Sequence, residues 1–87
     1  LTKMLKADGL DEAIVGVGHR CGEPTVVIYD MDKCIKILEH DLDCEIWEAI
    51  EYFNFNVLGS YLGSYTPIFL EKLDGIEGLE EWVEANG

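Results

Sequence analysis

Basic residues are what this chain most lacks. Six Lys and Arg stand against 18 Asp and Glu, a formal net charge of −12 in 87 residues. Six positive charges cannot build the footprint that holds a phosphate backbone, so direct DNA or RNA binding is excluded. Anionic lipid surfaces are disfavoured on the same ground. Long apolar runs are also missing. None approaches the roughly 18 residues that read as a membrane span. Cysteine is scarce, with three residues at Cys21, Cys34 and Cys44. Their odd count and irregular spacing do not make a disulfide framework. The expectation is three reduced thiols in a cytoplasmic protein, with no export leader in evidence. What the chain does have is 48% apolar residues. That is ordinary for a folded domain and too high for a disordered acidic tail. Residues 1–87 are read as one small domain. Self-repulsion narrows the stability margin of a domain this short, so added salt is expected to stabilise it.

The apolar pattern predicts a short helical turn at 2–8, ended by Gly9. Ala13–Val17 (AIVGV) reads as a buried strand and Thr25–Tyr29 (TVVIY) as a second. Gly18, Gly22 and Pro24 supply the turn between them, giving a hairpin. Asp30 is a natural N-cap for a helix from 31 to about 40. On that helix Met31, Cys34, Ile37, Leu38 and Asp41 share one side. Asp43 is placed as the N-cap of a second helix, whose apolar stripe is Ile46, Ala49, Ile50, Phe53 and Val57. Ile68–Leu70 reads as a third strand after Pro67. A turn at Asp74, Gly75 and Gly78 leads to a closing helix at 79–86. The order is ββααβα: one small antiparallel sheet of about three strands packed against helices, an α+β domain.

Several chemical motifs lose to simpler explanations. Gly16, Gly18 and Cys21 fall where a dinucleotide fingerprint needs three glycines, and the segment leads into a strand and not a helix N-terminus. His19, Cys21, Cys34, His40 and Cys44 lack the paired spacing of a zinc ribbon or finger. Asp30 with Asp32, and Asp41 with Asp43, are D-x-D pairs of a kind that can hold magnesium, but both lie where helix caps are expected. Cys21 with His19 or His40 has no third orienting residue for nucleophilic catalysis. No metal, no cofactor and no enzymatic activity are expected.

The acids carry more information. Glu39–Glu51 holds six acids and no Lys or Arg, and Glu71–Glu84 holds six more against Lys72 alone. With Glu45 set at zero and about 100° per residue, the apolar stripe of the second helix centres near about 100°. Glu48 and Glu51 fall near about 300° and 240°, with Phe55 and Tyr52 near about 280° and 340°. Tyr52 and Phe55 thus stand among carboxylates, opposite the core stripe. Either a further layer such as the closing helix covers them, or Glu45, Glu48, Glu51, Tyr52 and Phe55 form an acid-rimmed aromatic contact patch.

Three segments carry a resemblance: DEAIVGVGHRCG at 11–22, VIYDMDKCIKIL at 27–38 and EAIEYFNFNVLGSYLGSYTPIF at 48–69. Together they resemble a family of small uncharacterised proteins of tailed bacteriophages. The features in common are an Arg-Cys-Gly hairpin turn, a Tyr-Asp strand end before a Lys-Cys helix, and a Glu-Tyr-Phe-x-Phe-Asn helix before Thr-Pro. The likeness covers about two thirds of the chain and stops before the acidic tail. It implies a phage accessory protein in the cytoplasm of an infected bacterium, and it carries no activity or site residue across.

The leading expectation is therefore a non-enzymatic protein that binds a host or phage protein with a basic surface. One form of it is a nucleic-acid mimic that inhibits its partner. A second reading is a homo-oligomeric assembly protein with Tyr52, Phe55, Tyr61 and Tyr65 at its interface. A third is a small metal-binding domain or enzyme using Asp30, Asp32, His19 and Cys21.

Overall fold

The computed structural model describes residues 4–87. A single 3-10 turn (Asp11–Ala13) comes first and takes Ala13 out of the expected strand; two strands follow, β1 (Ile14–Gly18) and β2 (Val26–Asp30), then helices α1 (Met31–Asp41) and α2 (Ile46–Tyr52). Strand β3 (Ile68–Leu70) and helix α3 (Gly75–Asn86) complete the order ββααβα of an α+β domain. The sheet order is β1-β2-β3. Pairing of β1 with β2 is antiparallel, as the hairpin requires, but β3 lies parallel to β2. The expected all-antiparallel sheet is therefore a mixed one. The cause is the connection: α1 and α2 carry the chain back before β3 begins, and such a crossover returns a strand in the same direction.

Asp30 caps α1 as expected, its carboxylate accepting the Lys33 N–H at 3.2 Å. The far end closes differently from expectation. The Cys44 N–H reaches the Glu39 carbonyl at 3.2 Å, and the Asp43 N–H reaches the His40 carbonyl at 3.2 Å. These are the two bonds of a Schellman motif, with Asp43 in its left-handed position at φ 49°. Asp43 thus ends α1, and Glu45 takes the N-cap of α2. The Glu48 carboxylate accepts the Glu45 N–H at 3.0 Å, half of a capping box.

Val27, Tyr29 and Phe69 face the helices, where they meet Cys34 and Phe53 together with Leu10 and Ala13. Phe69 stacks on Tyr29 at 5.4 Å between ring centres and takes Phe53 edge-on at 5.2 Å. The Tyr29 hydroxyl accepts the Ala7 N–H at 2.8 Å. That bond ties down Met4–Ala7 as an irregular strap and not the expected helical turn. Residues 2 and 3 of that expectation lie outside the described residues.

Two elements pack less than expected. Every residue of β1 is exposed or half-exposed, against a β2 in which only Ile28 is not fully buried. Being apolar did not make β1 central: it pairs on one side only, and the helices cover the β2 and β3 side of the sheet. Helix α3 starts earlier than expected and buries none of its residues. The accessible surface is 6553 Å², where a compact monomer of this mass exposes roughly 5,200 Å². The radius of gyration is 14.1 Å, against roughly 12 Å for a compact chain of this length.

Candidate functional site

Helix α2 does not stop at Tyr52 but widens into π-helical winding over Phe53–Leu58. Bonding from i to i+5 takes more residues per turn than the α-helical repeat, so the 100° phase holds only up to Tyr52. Phe53 and Val57 still turn inward, Phe53 fully buried and Val57 partly so. Two of the five residues of the expected stripe are not buried: Ile46 and Ile50 are more than two-fifths exposed, while Ala49 is fully enclosed.

The outward side gathers four of the five expected contact residues. Glu48, Glu51, Tyr52 and Phe55 line one surface depression of about 360 Å³. Glu45 does not line it, because it sits at the helix N-cap. Phe55 is 78% exposed and Tyr52 42%. Since α3 buries none of its own residues, it does not act as a lid over them.

Trp47 also lines the depression and is 62% exposed. The sequence reading passed over it. At about 200° on the same wheel it lies beside Glu51 and away from the stripe centre, so the signal was present. Tyr61 and Tyr65 stay apart from this group. Tyr61 belongs to a separate groove behind the sheet, beside Ile28 and Ile68.

Cys44 reports the local field. Burial first, then the carboxylates of Glu48, Glu39, Asp43 and Glu45, push its thiol above the ordinary range. Negative charge therefore converges at the foot of the aromatic cluster. Cys34 is a core residue, its thiol pushed up to about 11 by burial and then by the Asp30 charge. Cys21 is exposed on the hairpin turn.

The residues of the metal-site reading go separate ways. Among the described residues, no three His, Cys, Asp or Glu side chains converge. The His19 ring nitrogen Nδ1 is 3.1 Å from Thr25 Oγ1. Asp30 is buried and meets Lys72 Nζ at 3.3 Å. Burial raises its pKa, but the Lys33 N–H and the Lys72 ammonium outweigh that and leave it lowered. No helix among the described residues is long and apolar enough to cross a membrane. Comparison with protein-family models, with curated proteins and with solved structures finds no match to this chain.

Proposed function

We propose that this chain is a non-enzymatic binding protein whose α2 face engages a basic surface of a partner protein. The observation that carries the reading is the exposure of Trp47, Tyr52 and Phe55 in one depression with Glu48 and Glu51. Aromatic side chains bury large areas at little entropic cost and dominate the energetics of many interfaces. Carboxylates beside them select a positively charged partner and speed its approach.

The resemblance to tailed-phage proteins implies, as part of this proposal, a host or phage protein in the infected bacterial cytoplasm as the partner. A narrower form is occupation of a groove that otherwise holds nucleic acid, with carboxylates in place of phosphates. The test is capture from host lysate on immobilised wild type and on Phe55→Ala and Glu48→Gln/Glu51→Gln variants. The expected result is a basic protein held by wild type near 50 mM salt and released by about 200 mM. Both variants lose it while keeping the wild-type circular dichroism. Equal retention by wild type and both folded variants would refute the assignment to α2. Added duplex DNA that displaces the partner would support the narrower form.

A further inference from the structure

We propose that α3 of each molecule docks its apolar side into the groove behind the sheet of a second copy, a reciprocal contact about a two-fold axis. With Ile76 set at zero and about 100° per residue, Leu79, Val83 and Trp82 fall near about 300°, 340° and 240°. Glu80, Glu84, Glu77 and Glu81 fall near about 40°, 80°, 100° and 140°. One side of the helix is apolar and the other acidic, the division of a helix that covers something. In the single chain it covers nothing: every residue of α3 except Gly78 is exposed, Ile76 by 68%.

The sheet leaves open a surface of the matching kind. Val27, Tyr29 and Phe69 face the helices, so the alternating Ile28 and Ile68 face the back. There they line, with Tyr61, a groove of about 560 Å³. Ile68 is 49% exposed and Tyr61 77%. The same groove is lined by His19, Arg20 and Glu23. Arg20 is the chain's one arginine. It gives one N–H to Glu23 at 3.3 Å, and its side chain remains 81% accessible. In a molecule of net charge −12, this guanidinium marks where an acidic helix can approach. Glu80 flanks the apolar side of α3, with Glu84 next to it, so docking that side brings carboxylates to the groove's cation.

The path of the chain makes the occupant a second copy. Glu71–Asp74 form a linker that is neither helix nor strand. The Trp82 indole N–H donates to the Glu71 carboxylate at 2.9 Å. Gly75–Trp82 rises only about 10 Å, no more than the linker can extend. Helix α3 therefore doubles back along its own linker and draws level with the end of β3 only at Trp82. Ile76 and Leu79 stay beyond that end, while the groove lies at the other end, by Pro67 and Ile68, and no α3 residue lines it. Reciprocal docking satisfies both open surfaces of both copies in one closed dimer. An anionic lipid surface does not suit α3, which carries four acids and no Lys or Arg.

Sedimentation equilibrium of the full chain at high micromolar concentration tests this. Wild type is expected to approach twice the 9.8 kDa chain mass. Ile76→Gln/Val83→Gln on the helix and Ile68→Gln in the groove are each expected to dimerise at least ten-fold more weakly. Their melting temperatures should stay near wild type, because these side chains are half or more in solvent, and circular dichroism separates lost docking from lost structure. Mixing the helix variant with the groove variant restores one of the two contacts, so the mixture should associate more tightly than either variant alone. Arg20→Glu should weaken the dimer several-fold. The proposal is overturned if wild type is monomeric, whatever else α3 binds, or if any of the three folded variants dimerises as well as wild type. It is equally overturned if the mixture associates no better than its components.

Discussion

The outer face of α2 and the edge of β1 both leave large apolar side chains in water, but their surroundings differ in charge. Trp47, Tyr52 and Phe55 stand among Glu48 and Glu51. Val15 and Val17 stand in a stretch, Ala13–Gly18, without a charged residue. The hydrophobic drive is similar in kind, so charge decides which partner each surface accepts. A face ringed by carboxylates repels its own copy and attracts a basic protein. An uncharged strand edge offers backbone hydrogen bonds to another strand. Raised salt should therefore weaken what the α2 face binds.

The largest expected effect removes the scaffold that both surfaces share. Tyr29 is fully buried, stacks on Phe69 and holds the N-terminal strap through its hydroxyl. Tyr29→Ala is expected to cost about 3–5 kcal/mol in urea unfolding, enough to abolish partner binding. Wild-type stability in this variant would break the idea of a common scaffold.

Phe55→Ala separates the surfaces. It is expected to cost about 2 kcal/mol or more of partner binding, a loss of roughly 30-fold on the scale of 1.4 kcal/mol per decade. Sedimentation and melting temperature should stay close to wild type. Unchanged partner binding in this folded variant would remove the aromatic face from the contact.

Asp30 links strand β2 to α1 and to Lys72 of the segment after β3. Its lowered pKa means that its stabilisation is present above the unfolded carboxylate value of about 3.9. It is lost as pH falls through the lower, folded value. Wild type should therefore lose stability below about pH 4 by a step that Asp30→Ala lacks. At neutral pH that variant is expected to be less stable by about 1 kcal/mol, the usual effect of a lost N-cap. An identical acid profile in both proteins would contradict the capping role.

The smallest effect reads the fields directly. Cys44 lies among carboxylates and Cys21 follows Arg20 on the hairpin, while Cys34 is buried. A cationic thiol reagent is expected to modify Cys44 a few-fold faster than an anionic one at low salt, with the preference fading as salt screens it. Cys21 should show the weaker preference, and Cys34 should stay unmodified in the native protein. Equal rates for both reagents at Cys44 would mean that the carboxylates do not shape the potential there.

Local signals account for what the sequence revealed. The Asp30 cap, the bounds of α1, the third strand and the element order all rest on neighbours within a few residues. Long-range outcomes were not legible. Whether AIVGV is a central or an edge strand depends on what pairs beyond it, and the direction of β3 depends on how two helices return the chain. Asp43 was the expected cap of α2, and Glu45 takes that place. The choice fell to the Schellman closure of α1, which needs a left-handed residue at 43. Four members of the contact patch were legible because Tyr52 and Phe55 lie opposite the core stripe. Glu45 was drawn off by capping. Trp47, at about 200° beside Glu51 on the same wheel, was equally legible as a member of that face.

The most direct test of the account is a salt series of titrations with the captured basic partner, on wild type and on Phe55→Ala. From about 50 to 200 mM salt, wild-type binding is expected to weaken steeply, and Phe55→Ala to bind roughly 30-fold more weakly throughout. Binding that ignores salt, or equal affinity of the two folded proteins, would contradict an acidic, aromatic partner-binding face.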